Sequence, residues 1–273
     1  MLLLITTAVG ALFVVAAARP ASERVLTRFA ALHDLALTDA NRAVVAAYLR
    51  RAHLLRTLGA WLGIVVSMLV TGLTRDRLDV GGWESVLFGY LAGAAVAEVG
   101  VPRPWPPGPR RAALAPRRVA SYLPRWTLPA RWALVLVAGA LAGWYAAAWA
   151  PGARQGLVVG VVGRFAVCVA VAVGSELLLR AVVRRRQPVV DADLLAADDA
   201  IRTSSLHALA AASTAIQVLL LGGQLSGLGR LAQARGGSGS TLYLLSFVTT
   251  LLAVTAWSAL RHPAPRPARP ATA

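Results

Sequence analysis

Seven long apolar runs, most of them free of charged side chains, dominate this sequence. A bilayer core about 30 Å thick needs about 20 mainly apolar helical residues to cross it. The runs cover residues 2–18, 57–73, 85–101, 132–150, 156–179, 206–225 and 242–260. They predict an all-α fold, a polytopic transmembrane helix bundle of seven spans that forms one domain over residues 1–260. The Pro- and Arg-rich remainder, residues 261–273, is predicted to be a disordered cytoplasmic tail.

The composition agrees with a membrane location. Hydrophobic residues make up 57% of the 273 residues, charged residues make up 15%, and the mean hydropathy is +0.62. A soluble domain usually carries about a quarter charged residues, so the composition excludes an ordinary soluble protein. Cys168 is the only cysteine in the sequence, which excludes an internal disulfide and a thiolate metal cluster.

The arginines determine the predicted orientation. All 28 basic residues are arginine; 22 of them lie in alternate segments between the runs, and five lie on the opposite side. Basic residues accumulate in cytoplasmic loops, so we expect the N-terminus outside and the C-terminus in the cytoplasm, in a bacterial plasma membrane. Because topology accounts for the arginines, the formal net charge of +16 does not indicate a nucleic-acid partner.

The first run could also be a signal peptide. Ala16 and Ala18 give it an A-x-A-like end, but no positive residue precedes the apolar stretch. Cleavage would also move the basic segment 19–56 to the outside, against the positive-inside bias. We therefore expect a retained first span.

Two spans are predicted to begin as helices well below the membrane. Residues 40–58 contain no Gly or Pro, and Asp39 is a candidate N-cap. Four aspartates follow in 191–199 before the sixth run, where a helix N-terminus favours negative charge. The Pro-rich loop over 102–129 should instead be extended, with at most a short helix at 116–122.

Glu98, Glu176 and Arg164 are the charged residues within the predicted spans. Such residues are costly in a membrane and mark a functional hypothesis. Glu98 and Glu176 each lie three residues from the inner end of a span, within about 5 Å of the interface, so we expect both to reach water. Glu176 is also placed to pair with Arg180 one turn later. Arg164 lies deeper, but its long side chain can extend to the headgroups.

Small residues recur at every fourth position in several runs. Examples are Gly59 with Gly63, Gly89 with Gly93, and Gly139 with Gly143. Such spacing lets helices approach closely. The pattern predicts tight packing within the bundle and gives only weak support for dimerisation.

The sequence offers little for catalysis or for a cofactor. The four histidines lack metal-ligand spacing, and no Gly-rich loop could cradle a phosphate. Glu176-Leu-Leu-Leu-Arg180 resembles part of the glutamate motif of CAAX-type intramembrane proteases, but Ser175 stands where that family has a second Glu. We expect no cofactor, no metal and no catalytic residue, although an enzyme remains the third alternative.

The segment from Ala113 to Trp126 resembles a stretch found in uncharacterised multi-pass membrane proteins of actinobacteria. That resemblance implies a membrane topology and a membrane location, and it assigns no residue a role. The leading hypothesis is a non-enzymatic membrane protein whose cytoplasmic helices and Arg-rich loops contact lipid or a partner protein. Anionic headgroups should bind the cluster Arg184, Arg185 and Arg186. The alternative is a small transporter in which Glu98, Glu176 and Arg164 line a path for a solute or a proton.

Overall fold

The computed structural model describes residues 2–75, 83–100, 110–111, 118–149, 155–185, 187–188, 191–234 and 236–261. Eight helices account for nearly all of these residues. They are α1 (Leu2–Ala18), α2 (Glu23–His33), α3 (Asp39–Arg75), α4 (Trp83–Ala95), α5 (Thr127–Trp149), α6 (Gln155–Arg184), α7 (Ala192–Ala234) and α8 (Ser240–Arg261). A π-helical turn, Val96–Gly100, continues α4, and a 3-10 turn covers Val119–Ser121. Two short strands, β1 (Arg110–Arg111) and β2 (Gln187–Pro188), pair antiparallel.

Five of these helices are long and apolar enough to cross a membrane: α3, α5, α6, α7 and α8. The predicted all-α fold is therefore confirmed, with five helices that could cross a membrane. The remaining two predicted spans also fall on helices, but α1 has 17 residues and the apolar helix at Ser85–Val99 is shorter than the other candidates. The predicted tail beyond Arg261 lies outside the described residues.

Helix α7 forms the centre of the bundle. In the apolar 18-residue stretch that could cross a membrane, 94% of the residues are buried in α7 and 6% in α8. Helices α3, α4, α5, α6 and α8 all pack against α7. An apolar helix that other helices surround is buried by protein, so α7 has almost no surface left for lipid.

Helices α3 and α7 are much longer than a bilayer is thick. At 37 and 43 residues, they measure about 55 and 65 Å against a core of about 30 Å. The amphipathic helix α2 packs on their N-terminal parts. Phe29 of α2, Val45 of α3 and Ile201 of α7 belong to one buried apolar cluster. We call α2 with the N-terminal parts of α3 and α7 the protruding layer.

The predicted helical starts of these two segments are confirmed, with one adjustment. Helix α3 begins at Asp39 itself, so the cap is the preceding residue, Thr38. The Thr38 backbone N–H donates to Asn41 Oδ1 at 3.0 Å, which is the reciprocal half of a capping box. Helix α7 begins at Ala192, directly after Asp191. The sequence did not predict α2.

Glycine contacts join α3 to α4. A Cβ at Gly59 would lie 2.2 Å from the Gly89 carbonyl oxygen, and a Cβ at Gly63 would lie 2.1 Å from the Ser85 carbonyl oxygen. Any side chain at these positions would push the backbones apart. The recurring small residues of α3 and α4 therefore serve packing within the chain, as the spacing predicted.

Two glutamines fasten α7 to its neighbours α5 and α6. Gln217 Nε2 donates to the Arg131 carbonyl at 3.3 Å, and Gln224 Nε2 donates to the Ala138 carbonyl at 3.4 Å. Gln224 also reaches the Val161 carbonyl of α6 at 3.2 Å. Both glutamines are fully buried. Because they lie two helical turns apart on one face, they hold α5 and α7 in register.

Candidate functional site

A buried ion cluster lies where α4, α6 and α8 end beside α3 and α7; we call this the arginine end of the bundle. Its centre is Glu98, which the π-helical turn at Val96–Gly100 presents toward α3. Arg56 of α3 approaches the Glu98 carboxylate at 3.5 Å, and Arg185 after α6 approaches it at 3.8 Å. The Glu98 side chain is 0% exposed and that of Arg56 is 6% exposed. The cluster thus ties three helices together through one carboxylate.

Aromatic and hydroxyl groups complete this Glu98 cluster. The Tyr48 hydroxyl donates to Glu98 Oε1 at 3.3 Å and shares a hydrogen bond of 3.2 Å with the Ser205 hydroxyl of α7. The Arg56 guanidinium also lies 6.0 Å from the centre of the Tyr90 ring, within reach of a cation–π interaction. These contacts fix the Glu98 carboxylate from several sides.

Further arginines surround the Glu98 cluster. Arg51 Nη2 donates to the Ala97 carbonyl at 3.1 Å. Arg261, at the end of α8, is close enough to interact electrostatically with Arg56 and Glu98. Among the described residues of this cluster, Arg51, Arg56, Arg185 and Arg261 carry positive charge, and Glu98 carries the one negative charge. The arginine end is therefore an electropositive region.

The expectation that Glu98 reaches water is wrong. Glu98 lies near the end of the apolar helix Ser85–Val99, but its side chain is 0% exposed, and its carboxylate contacts Tyr48, Arg56 and Arg185. Arg56 lies 42 residues away in the chain, so the short sequence around Glu98 gave no sign of this cover. Its burial is compensated by charge and hydrogen bonds, as a buried carboxylate requires.

Glu176 belongs to a different set of contacts. It forms the predicted i,i+4 ion pair with Arg180 at 2.5 Å, and it accepts a hydrogen bond from Trp132 Nε1 at 3.2 Å. Its side chain is 20% exposed and that of Arg180 is 56% exposed. Glu176 and Glu98 thus bond to different groups.

Arg164 lies toward the other end of α6. Its Nη1 donates to the Gly160 carbonyl at 3.2 Å, one turn back on its own helix. Its side chain also lies against Gly223 of α7, where an added Cβ would come within 2.7 Å of the guanidinium nitrogen Nε. Arg164 is 12 residues from Glu176, about 18 Å along the helix. The structure therefore does not bring Arg164 together with either glutamate.

The arginines predicted to bind lipid headgroups differ in their exposure. Arg184 is exposed, whereas Arg185 turns inward to Glu98 with its side chain 25% exposed. Arg186 lies outside the described residues.

Other buried polar residues were not predicted from the sequence. Arg202 pairs with Asp198 at 2.8 Å, and its Nη1 donates to the Val182, Val183 and Arg185 carbonyls, which end α6. His207 places both ring nitrogens on carbonyl oxygens, at 2.6 Å from Leu260 and 3.1 Å from Tyr122. Arg202 and Asp198 were visible as an i,i+4 pair, and His207 was visible as a histidine in an apolar run.

The described residues do not assemble a catalytic constellation. Groups of three or more His, Cys, Asp or Glu that could hold a metal ion do not occur among them. The Ser175 hydroxyl donates to backbone carbonyls of its own helix, including that of Ala172 at 3.1 Å, so it is not poised as a nucleophile. The Glu98 cluster can hold helices together and present positive charge.

Comparisons with protein-family models, with curated proteins and with solved structures find no match for this chain. The fold and the site define a helical protein with five helices able to cross a membrane and a buried electropositive cluster at one end.

Proposed function

We propose that this protein is a non-enzymatic plasma-membrane protein with seven spans, which holds the protruding layer at the cytoplasmic face for contact with lipid headgroups or a partner protein. The observation that carries the proposal is the length of α3 and α7. Both extend far beyond a bilayer and meet α2 in a separate apolar cluster. A layer with its own packed core is a structure that a partner can bind.

The charge distribution supports the same conclusion. On α2, Arg24, Arg28 and Thr27 are exposed, while Leu26 and Phe29 are buried. The ion pair between Glu23 and Arg42, at 3.0 Å, links α2 to α3 at the surface. The outer face of α2 is therefore mainly polar, with Val25 as an exposed apolar residue, and Leu26 and Phe29 face the packed interior.

The transporter alternative has less support. It requires Glu98, Glu176 and Arg164 to face one polar path, but their hydrogen bonds and ion pairs go to separate groups. Purified protein in liposomes should therefore release neither trapped protons nor trapped small anions faster than empty liposomes do. A flux that disappears in Glu98→Gln would favour the transporter.

Cysteine labelling tests the proposed orientation. Cys168 is first replaced by Ala, and single cysteines are then placed at Ser238, in the turn before α8, or at Thr27, on α2; both positions are exposed. A membrane-impermeant maleimide should label the Ser238→Cys variant in intact cells and the Thr27→Cys variant only after permeabilisation. The reverse pattern would overturn the orientation and the cytoplasmic position of the layer.

Site-specific photo-crosslinking tests the role of the protruding layer. A crosslinking residue at Thr27 faces out from α2, and a matched one at Thr255 faces out from α8, where both threonines are exposed. We expect a discrete adduct of higher mass, or anionic lipid adducts, from position 27, and general lipid adducts from position 255. Equal adducts at both positions would contradict a specific contact surface on the layer.

A further inference from the structure

An apolar groove runs along the outer seam between α3 and α4. It has a volume of about 710 Å³ and is lined by residues of both helices from Leu55 to Thr71 and from Ser85 to Val96. At its base the glycines of α3 and α4 bring the two backbones into contact. Leu62, Val66 and Val96 on its walls are 46%, 56% and 48% exposed. The Glu98 cluster does not use this surface.

The groove is long enough for one lipid chain. Its α3 wall covers 16 residue steps, about 24 Å, whereas one leaflet of the hydrocarbon core is about 15 Å thick. A single acyl chain therefore fits along it. Apolar walls inside a membrane-crossing region exclude a polar solute as the occupant.

One end of the groove meets positive charge. Arg51 lies one turn before the lining residue Leu55 on the same face of α3, and its Nη2 bonds to Ala97 O, next to the lining residue Val96. Arg56 and Arg185 lie nearby, where both contact the Glu98 carboxylate. Among the described residues of the Glu98 cluster, arginines outnumber carboxylates. Positive charge here complements a phosphate, which arginine binds through charge-assisted hydrogen bonds.

We propose that the α3/α4 groove binds one anionic phospholipid, with an acyl chain along the glycine crossing and the phosphate at Arg51. The inference rests on the proposed function only for the placement of the groove in a membrane. It does not depend on a partner at the protruding layer. Bound lipid would cover apolar surface that the chain itself leaves open.

Lipid titration of the full chain in detergent micelles, followed by native mass spectrometry, tests this site. The probes are phosphatidylglycerol and phosphatidylcholine. Arg51→Gln removes the charge, and Ala92→Phe fills the groove from an exposed position on its wall. The matched controls are Arg50→Gln, at the exposed neighbouring arginine, and Ala259→Phe, at an exposed alanine of α8.

We expect both test variants to bind the first phosphatidylglycerol about tenfold more weakly, the effect of losing one charged hydrogen bond or a comparable apolar contact. Both controls should bind it as the unchanged protein does, and phosphatidylcholine should bind weakly throughout. Equal phosphatidylglycerol binding by all variants would overturn the proposal. An effect of Arg51→Gln without one of Ala92→Phe would also overturn it, because the headgroup would then bind without the groove.

The same mass spectra also test a competing occupant of the groove, a second copy of the chain. If Ala92→Phe converts a dimer to a monomer and leaves lipid binding unchanged, the groove is a protein interface and the lipid site is wrong. The two proposals can fail separately. Weakened lipid binding in the two variants, together with equal crosslinks at positions 27 and 255, would retain the lipid site and reject the layer as a docking surface.

Discussion

At the scale of single residues, the stability of the arginine end depends on one carboxylate. Glu98 is fully buried, and it accepts from Tyr48 and pairs with Arg56 and Arg185. Two buried charges can cost more to desolvate than their attraction returns. Removing one partner is worse, since it leaves the remaining charges without compensation.

The variant Glu98→Gln should therefore lower the free energy of unfolding by about 3 to 5 kcal/mol. The shape of the side chain is kept, so the loss would come from leaving Arg56 without its carboxylate. Unfolding by denaturing detergent, followed by circular dichroism, measures the change. Glu23→Gln is the matched control, because its ion pair with Arg42 is exposed and such pairs contribute little. A loss no larger than that of the control would show that the Glu98 cluster does not stabilise the fold.

For a substitution of Arg131 we expect the opposite effect on stability. It is buried in α5, and Nη2 donates to the Ala172 carbonyl at 3.1 Å, while Nε and Nη1 have no hydrogen-bond partner among the described residues. Replacing a poorly compensated buried charge with an apolar side chain of similar volume is often neutral or stabilising. Arg131→Met should therefore unfold at the same detergent fraction as the unchanged protein or at a higher one. Arg56→Met, which removes an ion-pair partner of Glu98, should unfold at a lower detergent fraction. A marked loss in Arg131→Met would indicate that the attraction between Arg131 and Glu176 outweighs the cost of burying the charge.

At the scale of helices, the same glycine spacing has two different consequences. Gly89 of α4 faces the α3 backbone, where an added Cβ would lie 2.0 Å from the Gly59 carbonyl oxygen. Gly143 of α5 has nothing within 4 Å of such a Cβ. Spacing alone does not distinguish a glycine that is required for close approach from one that is merely tolerated.

Gly89→Ala should thus destabilise the protein by about 1 to 3 kcal/mol, the usual cost of overpacking. The clash is with backbone, which no rotamer change relieves. Gly143→Ala should leave stability unchanged or raise it by up to about 1 kcal/mol, because alanine is the better helix former. Thermal unfolding of both variants in the same detergent gives the comparison. If the two variants unfold alike, the close crossing of α3 and α4 is wrong.

Much of the helical structure could be predicted because apolar runs and caps are local signals. The run 2–18 coincides with α1, and the segments after Asp39 and Asp191 are helical as expected. Helix α2 was missed because it is short, and its apolar residues Leu26, Phe29 and Ala30 follow an amphipathic period rather than a continuous run. The cover over Glu98 could not be predicted, since its partners are brought together only when α3, α6 and α7 pack.

At the scale of the whole molecule, the bundle is organised around α7. The neighbouring helices pack around α7 and cover most of its surface. Gln217 and Gln224 bond α7 to the α5 backbone. Helix α8 has the reverse character: it packs on α7 along one face, with Ala253 and Leu260 buried, and exposes Leu251, Leu252 and Val254. A substitution should therefore be judged by the helix that carries it.

The variant pair Ala212→Leu and Ala259→Leu tests this organisation with one chemical change. Ala212 of α7 is 0% exposed, so three extra carbon atoms must displace packed neighbours, at a cost of about 1 to 3 kcal/mol. Ala259 of α8 is exposed, and a leucine there meets only what surrounds the bundle. The thermal midpoint in micelles should fall clearly for Ala212→Leu and stay unchanged for Ala259→Leu. A comparable fall in both would mean that α8 is enclosed by a further surface, such as a second copy of the chain, and that α7 alone is not the core of the assembly.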